Sequence, residues 1–192
     1  MKTPGRILSR CAGFSLLEAL ITMVILAFGL LGLAGFQTKT QVLEVEAYQR
    51  AQAILLVQDM TNRLSANRTN ASSYVTGAQT LGVDDTQPAS CNAGLTGAAL
   101  DACEWSNALK GASETKAQSG ATSQVGAMTN ARGCIDLIAA SDPPVYRVTV
   151  AWQGMSVLST PSLPCGATLY GNNDGYRRTF AMTVPVADLT KP

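Results

Sequence analysis

"GFSLLEALITMVILAFGLLGLAGF", Gly13 to Phe36, is the stretch on which the reading of this chain turns. From Phe14 to Phe36 it runs for 23 residues with Glu18 as its only charge. As a helix rising 1.5 Å per residue it would span about 34 Å, enough to cross the hydrocarbon core of a bilayer. Lys2, Arg6 and Arg10 precede it with no acid among them. The positive-inside rule leaves such an end in the cytoplasm.

Three ordinary readings of the segment fit less well. A secretory signal has an apolar run of about 7–15 residues closed by an A-x-A-like site, and neither condition holds. In a lipoprotein signal the cysteine follows the apolar run, whereas Cys11 precedes it, directly after Arg10. A plain single-span anchor fits the length but leaves Glu18 unexplained. An acidic residue at the centre of a membrane helix costs about 2.5–3.5 kcal/mol on insertion scales, and by default marks a function.

Composition narrows the rest. The 192 residues suffice for one domain plus an extended element, and Ala with small polar residues dominates the middle of the chain. Charged residues make up 14 % and the net charge is +1, so no strongly basic face marks a nucleic-acid binder. The chain has no histidine. Ser-His-Asp and Cys-His nucleophilic pairs and His-based zinc sites are therefore excluded. No motif supports a lysine- or carboxylate-based enzyme. The expectation is no enzymatic activity, no cofactor and no metal.

Cys11 lies before the apolar segment, and Cys91, Cys103, Cys134 and Cys165 lie far after it. If the membrane separates them, the four outer cysteines occupy an oxidising compartment and read as two disulfides. Their spacings lack the paired short CxxC form of a zinc site. Four cysteines allow three connectivities. The expected pairing is Cys91–Cys103, closing a short loop, with Cys134–Cys165, tying "RGCIDL" to the segment between two strands.

Helical patterning continues from Gln37 to Leu64 with no Pro and no Gly. Leu43, Ala47, Ala51, Ile54, Val57 and Leu64 recur at three-to-four spacing and predict an amphipathic stripe lying on a globular head. From Phe14 to Leu64 one helix would be roughly 76 Å long. "SANRTNASS", Ser65 to Ser73, is expected to end it. Gly29, Gly32 and Gly35 recur every three residues. They read either as small residues for close helix packing or as a weakened region that can stretch, at about 1 kcal/mol per Gly relative to Ala.

In the head, Ala98 to Lys110 predicts a short helix, and Ser113 to Arg132 a loop. "VYRVTVAW", Val145 to Trp152, predicts a strand with Tyr146, Val148, Val150 and Trp152 on one face. "YRRTFAMTV", Tyr176 to Val184, predicts a second, although Arg178 interrupts its apolar face. "GNNDG", Gly171 to Gly175, is a turn cluster and lacks the longer ligand series of an EF-hand.

"GFSLLEAL" resembles the class III signal of type IV prepilins, G-F-[ST]-L-[LI]-E ahead of a long apolar run. "GLLGLAGFQ", "EWSNAL", "GCI" and "VTVAWQG" are similar, in the same order, to the PilV family of type IV pilus minor pilins, the type IV pilus modification proteins. Gly35 stands where major pilins often carry a helix-breaking proline.

The resemblance implies a type IV pilin-like α+β fold, with a long N-terminal helix packed on a small antiparallel-sheet head. It divides the chain into a leader at 1–13, a transmembrane or filament-core half-helix at 14–36, an amphipathic half-helix at 37–64 and a head at 65–192. A prepilin peptidase would cut between Gly13 and Phe14 and methylate the new amine of Phe14. The amine of one subunit would meet Glu18 of a neighbour, setting register. Losing the leader removes three positive charges, leaving 11 basic against 13 acidic side chains.

The implied role is a minor pilin acting in pilus biogenesis, twitching motility and adhesion. The alternative is a minor pseudopilin of a type II secretion system. Implied partners are the prepilin peptidase, other minor pilins, the major pilin and inner-membrane assembly proteins. Nucleic acid is not among them. The location would be the inner membrane, single-pass with a periplasmic head, and then the pilus at the cell surface.

Overall fold

The computed structural model describes residues 15–92, 94–112, 115–118, 121–124 and 128–187. The chain forms two compact units, residues 1–43 and 44–192. Helix α1, Leu16–Ala66, is continuous through 51 residues. At its start the N–H groups of Glu18 and Ala19 donate to the Ser15 carbonyl at 3.0 and 3.2 Å. At its end Asn67 N–H donates to the Arg63 carbonyl at 3.0 Å, and a 3₁₀ turn, Arg68–Tyr74, follows. Arg63 in the last turn suits the negative end of the helix dipole.

In the first unit the large apolar side chains of α1, from Leu16 to Phe36, are exposed. Their polar neighbours need no outside partner. The hydroxyls of Thr22, Thr38 and Thr40 donate back to the carbonyls of Ala19, Ala34 and Phe36 at 2.8, 3.1 and 3.1 Å. Such back-bonding is how a hydroxyl on an apolar helix stays satisfied.

In the second unit α1 buries Gln49, Ala53, Val57, Met60 and Leu64. This face is rotated from the stripe read in the sequence: Ala47 and Ala51 are exposed. Two nearly equal apolar faces compete on this stretch, for Val45, Tyr48 and Leu55 also lie exposed. The buried face also carries Gln49, whose amide donates to the Thr129 hydroxyl at 3.2 Å.

The sheet is antiparallel in the order β1-β4-β5-β6: Leu81–Gly82, Arg132–Ala139, Val145–Gln153 and Arg177–Pro185. On β5, Tyr146, Val148, Val150 and Trp152 face the core, together with Phe180, Met182 and Val184 of β6. Thr149 and Ala151 on the opposite face are buried too. They lie under the connection from β5 to β6, where Cys134, Ala151, Cys165 and Tyr170 make a second small cluster. The disulfide Cys134–Cys165 joins β4 to that connection, and Cys91–Cys103 joins the preceding loop to helix α2, Gly97–Leu109.

The long apolar helix followed by a small four-stranded sheet with two disulfides is a pilin-like α+β fold. Two further features depart from the sequence reading. β4 is a full strand, and a hairpin of β2, Thr115–Gln118, and β3, Ala121–Gln124, lies where a loop was expected. Small and polar residues give that hairpin no apolar alternation to read. In β4, Gly133, Cys134 and Asp136 blur the same signal.

Trp105 of α2 ties the layers together. Its indole N–H donates to the Leu56 carbonyl of α1 at 2.8 Å, and its ring lies on Gly133 of β4. A Cβ at position 133 would fall inside that ring, whereas a Cβ at Gly35 would meet nothing within 4 Å. Gly133→Ala is therefore expected to destabilise the chain by about 1–3 kcal/mol through overpacking. Gly35→Ala is expected to leave stability unchanged or slightly raised. Urea unfolding of the detergent-solubilised full chain compares the two.

Candidate functional site

Two groups of residues stand out, one in each unit. Gly13 and Phe14, the cleavage pair of the sequence reading, lie outside the described residues. Glu18 lies in the first turn of α1, where a carboxylate complements the positive end of the helix dipole. It is exposed and has no ion pair among the described residues. The next charge along the helix is Lys39.

The helix is long and apolar enough to cross a membrane, and its most apolar stretch is not buried. It passes through Gly29, Gly32 and Gly35 without a break, and a Cβ at any of them meets nothing within 4 Å. Glu18 is therefore a lone charge on an uncovered apolar rod.

The second group surrounds Glu46 in the head unit. Arg178, which interrupted the apolar face of its strand in the sequence, turns out of the sheet. Its guanidinium donates to the Ser156 carbonyl at 2.7 Å and pairs with the Glu46 carboxylate at 3.4 Å. The same carboxylate accepts the Met155 N–H and the Ser156 hydroxyl, each at 3.1 Å. A side chain at Gly154 would run into the guanidinium, so this close approach requires glycine. Desolvation pushes the Glu46 carboxyl up, but the hydrogen bonds from Ser156 and Met155 and the charge of Arg178 outweigh it. The net result lies below the usual range.

The connection between β5 and β6 is braced from inside as well. Arg177 and Asp174 form a buried pair at 3.2 Å. Arg177 also donates to the carbonyls of Pro161 and Cys165, both at 3.0 Å, and to that of Leu163. Asp174 accepts the N–H groups of Thr168 and Tyr170 at 2.7 and 3.3 Å. The acid of "GNNDG" is thus engaged by the protein's own backbone and a cation.

So held, the connection presents Met155, Val157 and Leu158 at 53, 63 and 55 % exposure. Beside them a groove of about 330 Å³ is lined by Glu46, Ala47, Arg50, Trp152, Leu158 and Arg178. Glu46 and Arg178 neutralise one another, which leaves the exposed Arg50 as the groove's net charge. Sequence reasoning missed this site. Its one visible signal was Arg178 standing in an otherwise apolar register.

Residues 8–34 match the family model of the prokaryotic N-terminal methylation motif. No curated protein matches the chain, and no solved structure matches it. The motif supports a type IV pilin-like or pseudopilin-like subunit. It implies processing by a prepilin peptidase and assembly into a pilus-like complex, and with the apolar helix it is consistent with membrane anchoring.

Because the Glu46 pKa is lowered in the folded state, its stabilisation is complete above the ordinary glutamate value of about 4.3. It is lost as the pH falls through the folded value. Glu46→Gln removes that linkage. Its stability should fall less steeply than that of the natural chain below about pH 4.3. Acid-unfolding curves of equal slope would contradict the role of Glu46.

Proposed function

We propose that this chain is a minor pilin of the PilV type, a structural and assembly subunit of a type IV pilus that acts in pilus biogenesis, twitching motility and adhesion. Residues 1–13 are its leader, 14–36 its membrane and filament-core segment, 37–64 the amphipathic half of its helix and 65–192 its head. A prepilin peptidase cuts between Gly13 and Phe14 and methylates Phe14. Before assembly the chain is single-pass in the inner membrane with its head in the periplasm. It then passes into the pilus with other minor pilins and the major pilin, through inner-membrane assembly proteins.

The observation that carries this reading is the lone Glu18 on an uncovered apolar helix, within the residues that match the methylation motif. Cleavage before Phe14 creates an amine four residues from Glu18, within one helical turn. A carboxylate entering a dry filament core needs a cation, because an unpaired buried charge is strongly destabilising. The amine of a neighbouring subunit supplies it. The chain is the substrate of a peptidase and itself does no catalysis.

A minor pseudopilin of type II secretion shares the same N-terminal motif and is the second reading. Deletion of the gene, with surface pili and secreted protein assayed side by side, separates them: loss of pili supports the first, loss of secretion with pili intact the second.

Glu18→Ala should leave cleavage largely intact and reduce recovery in sheared filaments, as read by immunoblot of membrane and filament fractions. Normal recovery of Glu18→Ala in filaments would overturn the pairing role. A bulky side chain at Gly13 should leave the chain uncut.

A further inference from the structure

We propose that the outer edge of β6 receives an extended segment of a partner protein, added as a further strand to the four-stranded sheet. The proposal rests on the head unit alone and is independent of the filament reading.

The register decides which backbone groups are already in use. The carbonyls of Ala131 and Ile135 turn to the outside of β4, where they accept the N–H groups of Val83 and Thr76, both at 3.0 Å. Backbone direction alternates along a strand, so Arg132, Cys134 and Asp136 bond to β5 through Ala151, Thr149 and Arg147. β5 then bonds to β6 through its even-numbered residues, Tyr146 to Trp152, paired with Val184 to Arg178. The contact of Gly154 N–H with the Tyr176 carbonyl at 2.8 Å keeps the same parity. What remains on β6 is the odd-numbered row. The N–H and C=O groups of Thr179, Ala181 and Thr183 point away from the sheet, and none of them has a backbone partner among the described residues.

This row is closed at both ends and open between. At one end Leu158 N–H donates to the Gly175 carbonyl at 2.8 Å on the same outer side. At the other, Pro185 has no N–H to offer. Between them residues 179–184 carry no Pro and no charge, and the register is unbroken by a bulge. Edge strands are ordinarily blunted by such devices along their length. The open stretch, residues 179–183, spans about 14 Å, near the length of an average strand.

Hydrogen-bond chemistry selects the occupant. Donors and acceptors alternating at this spacing are matched by another backbone in the extended conformation, as in strand addition. Side chains set its pattern. Phe180, Met182 and Val184 pack against the core yet stay only half-buried. Thr179, Ala181 and Thr183 lie on the opposite face. The partner segment therefore alternates apolar side chains, beside Phe180 and Met182, with small or hydroxyl side chains, beside Thr179, Ala181 and Thr183.

The test uses the full-length chain in detergent and a capped, lysine-flanked Thr-Val-Thr-Val-Thr peptide as the probe. Amide exchange is resolved to single residues by fragmentation. In the free chain the amides of Thr179, Ala181 and Thr183 should exchange fast and those of Phe180 and Met182 slowly. The peptide should slow the first three several-fold, and its fully N-methylated copy should not. Ala181→Pro removes an outward N–H and no bond to β5, so it should weaken peptide binding several-fold while the β5 amides keep their protection. Thr183→Pro serves the same purpose should Ala181→Pro fold poorly.

Slow exchange of all three amides in the free chain would mean that the edge is already covered and overturns the proposal. So does peptide binding that both proline variants leave unchanged, or the absence of any peptide-induced protection. Self-association of the free chain that Ala181→Pro abolishes would assign the edge to a second copy and overturn the proposed occupant.

Discussion

A carboxylate on an apolar helix must keep water or find a cation. Glu18 sets that condition for this chain. It is the one charge between Arg10 and Lys39, on a helix whose large apolar side chains have no cover among the described residues. Nothing in the described residues neutralises it. Folding therefore leaves the chain with an unmet electrostatic requirement and a large uncovered apolar surface. The proposed entry into an assembly that excludes water and supplies positive charge would meet both.

The head follows the opposite rule. Its buried and half-buried charges are paired internally: Arg177 with Asp174, Arg178 with Glu46, Arg147 with Asp136 at 2.8 Å, and Arg132 with Asp84. Most of these pairs fasten irregular backbone to the sheet or to α1. The disulfide Cys134–Cys165 adds a covalent tie to the same connection. A removed disulfide typically costs about 2–5 kcal/mol in small secreted domains. With few aromatic side chains available, cross-links and ion pairs take up work that a larger core would do.

Much of this was legible in the sequence. The apolar helix could be read from its unbroken apolar run, β5 from its regular alternation, and α2 and β6 from less regular patterns of their own periods. Of the three connectivities open to the four outer cysteines, the structure joins the expected one, Cys91–Cys103 with Cys134–Cys165. What escaped reading did so for physical reasons. The buried face of α1 includes a polar residue, Gln49, while Val45, Tyr48 and Leu55 form an apolar alternative that stays exposed, so hydrophobic spacing does not single it out. The hairpin β2–β3 has no apolar alternation. The groove at Arg50 brings together residues more than a hundred positions apart, and local patterns do not show long-range juxtaposition. Arg178 looked like a flaw in a strand because its partner, Glu46, lies on α1.

The proposed partner of Glu18 is a cation made by cutting the chain just before Phe14. The intact mass of the protein recovered from membranes and filaments tests this most directly. The expected mass is that of residues 14–192 with one added methyl group, the methyl located by fragmentation on the amine of Phe14. A protein that retains residues 1–13, or one cut beyond the apolar segment, would contradict it.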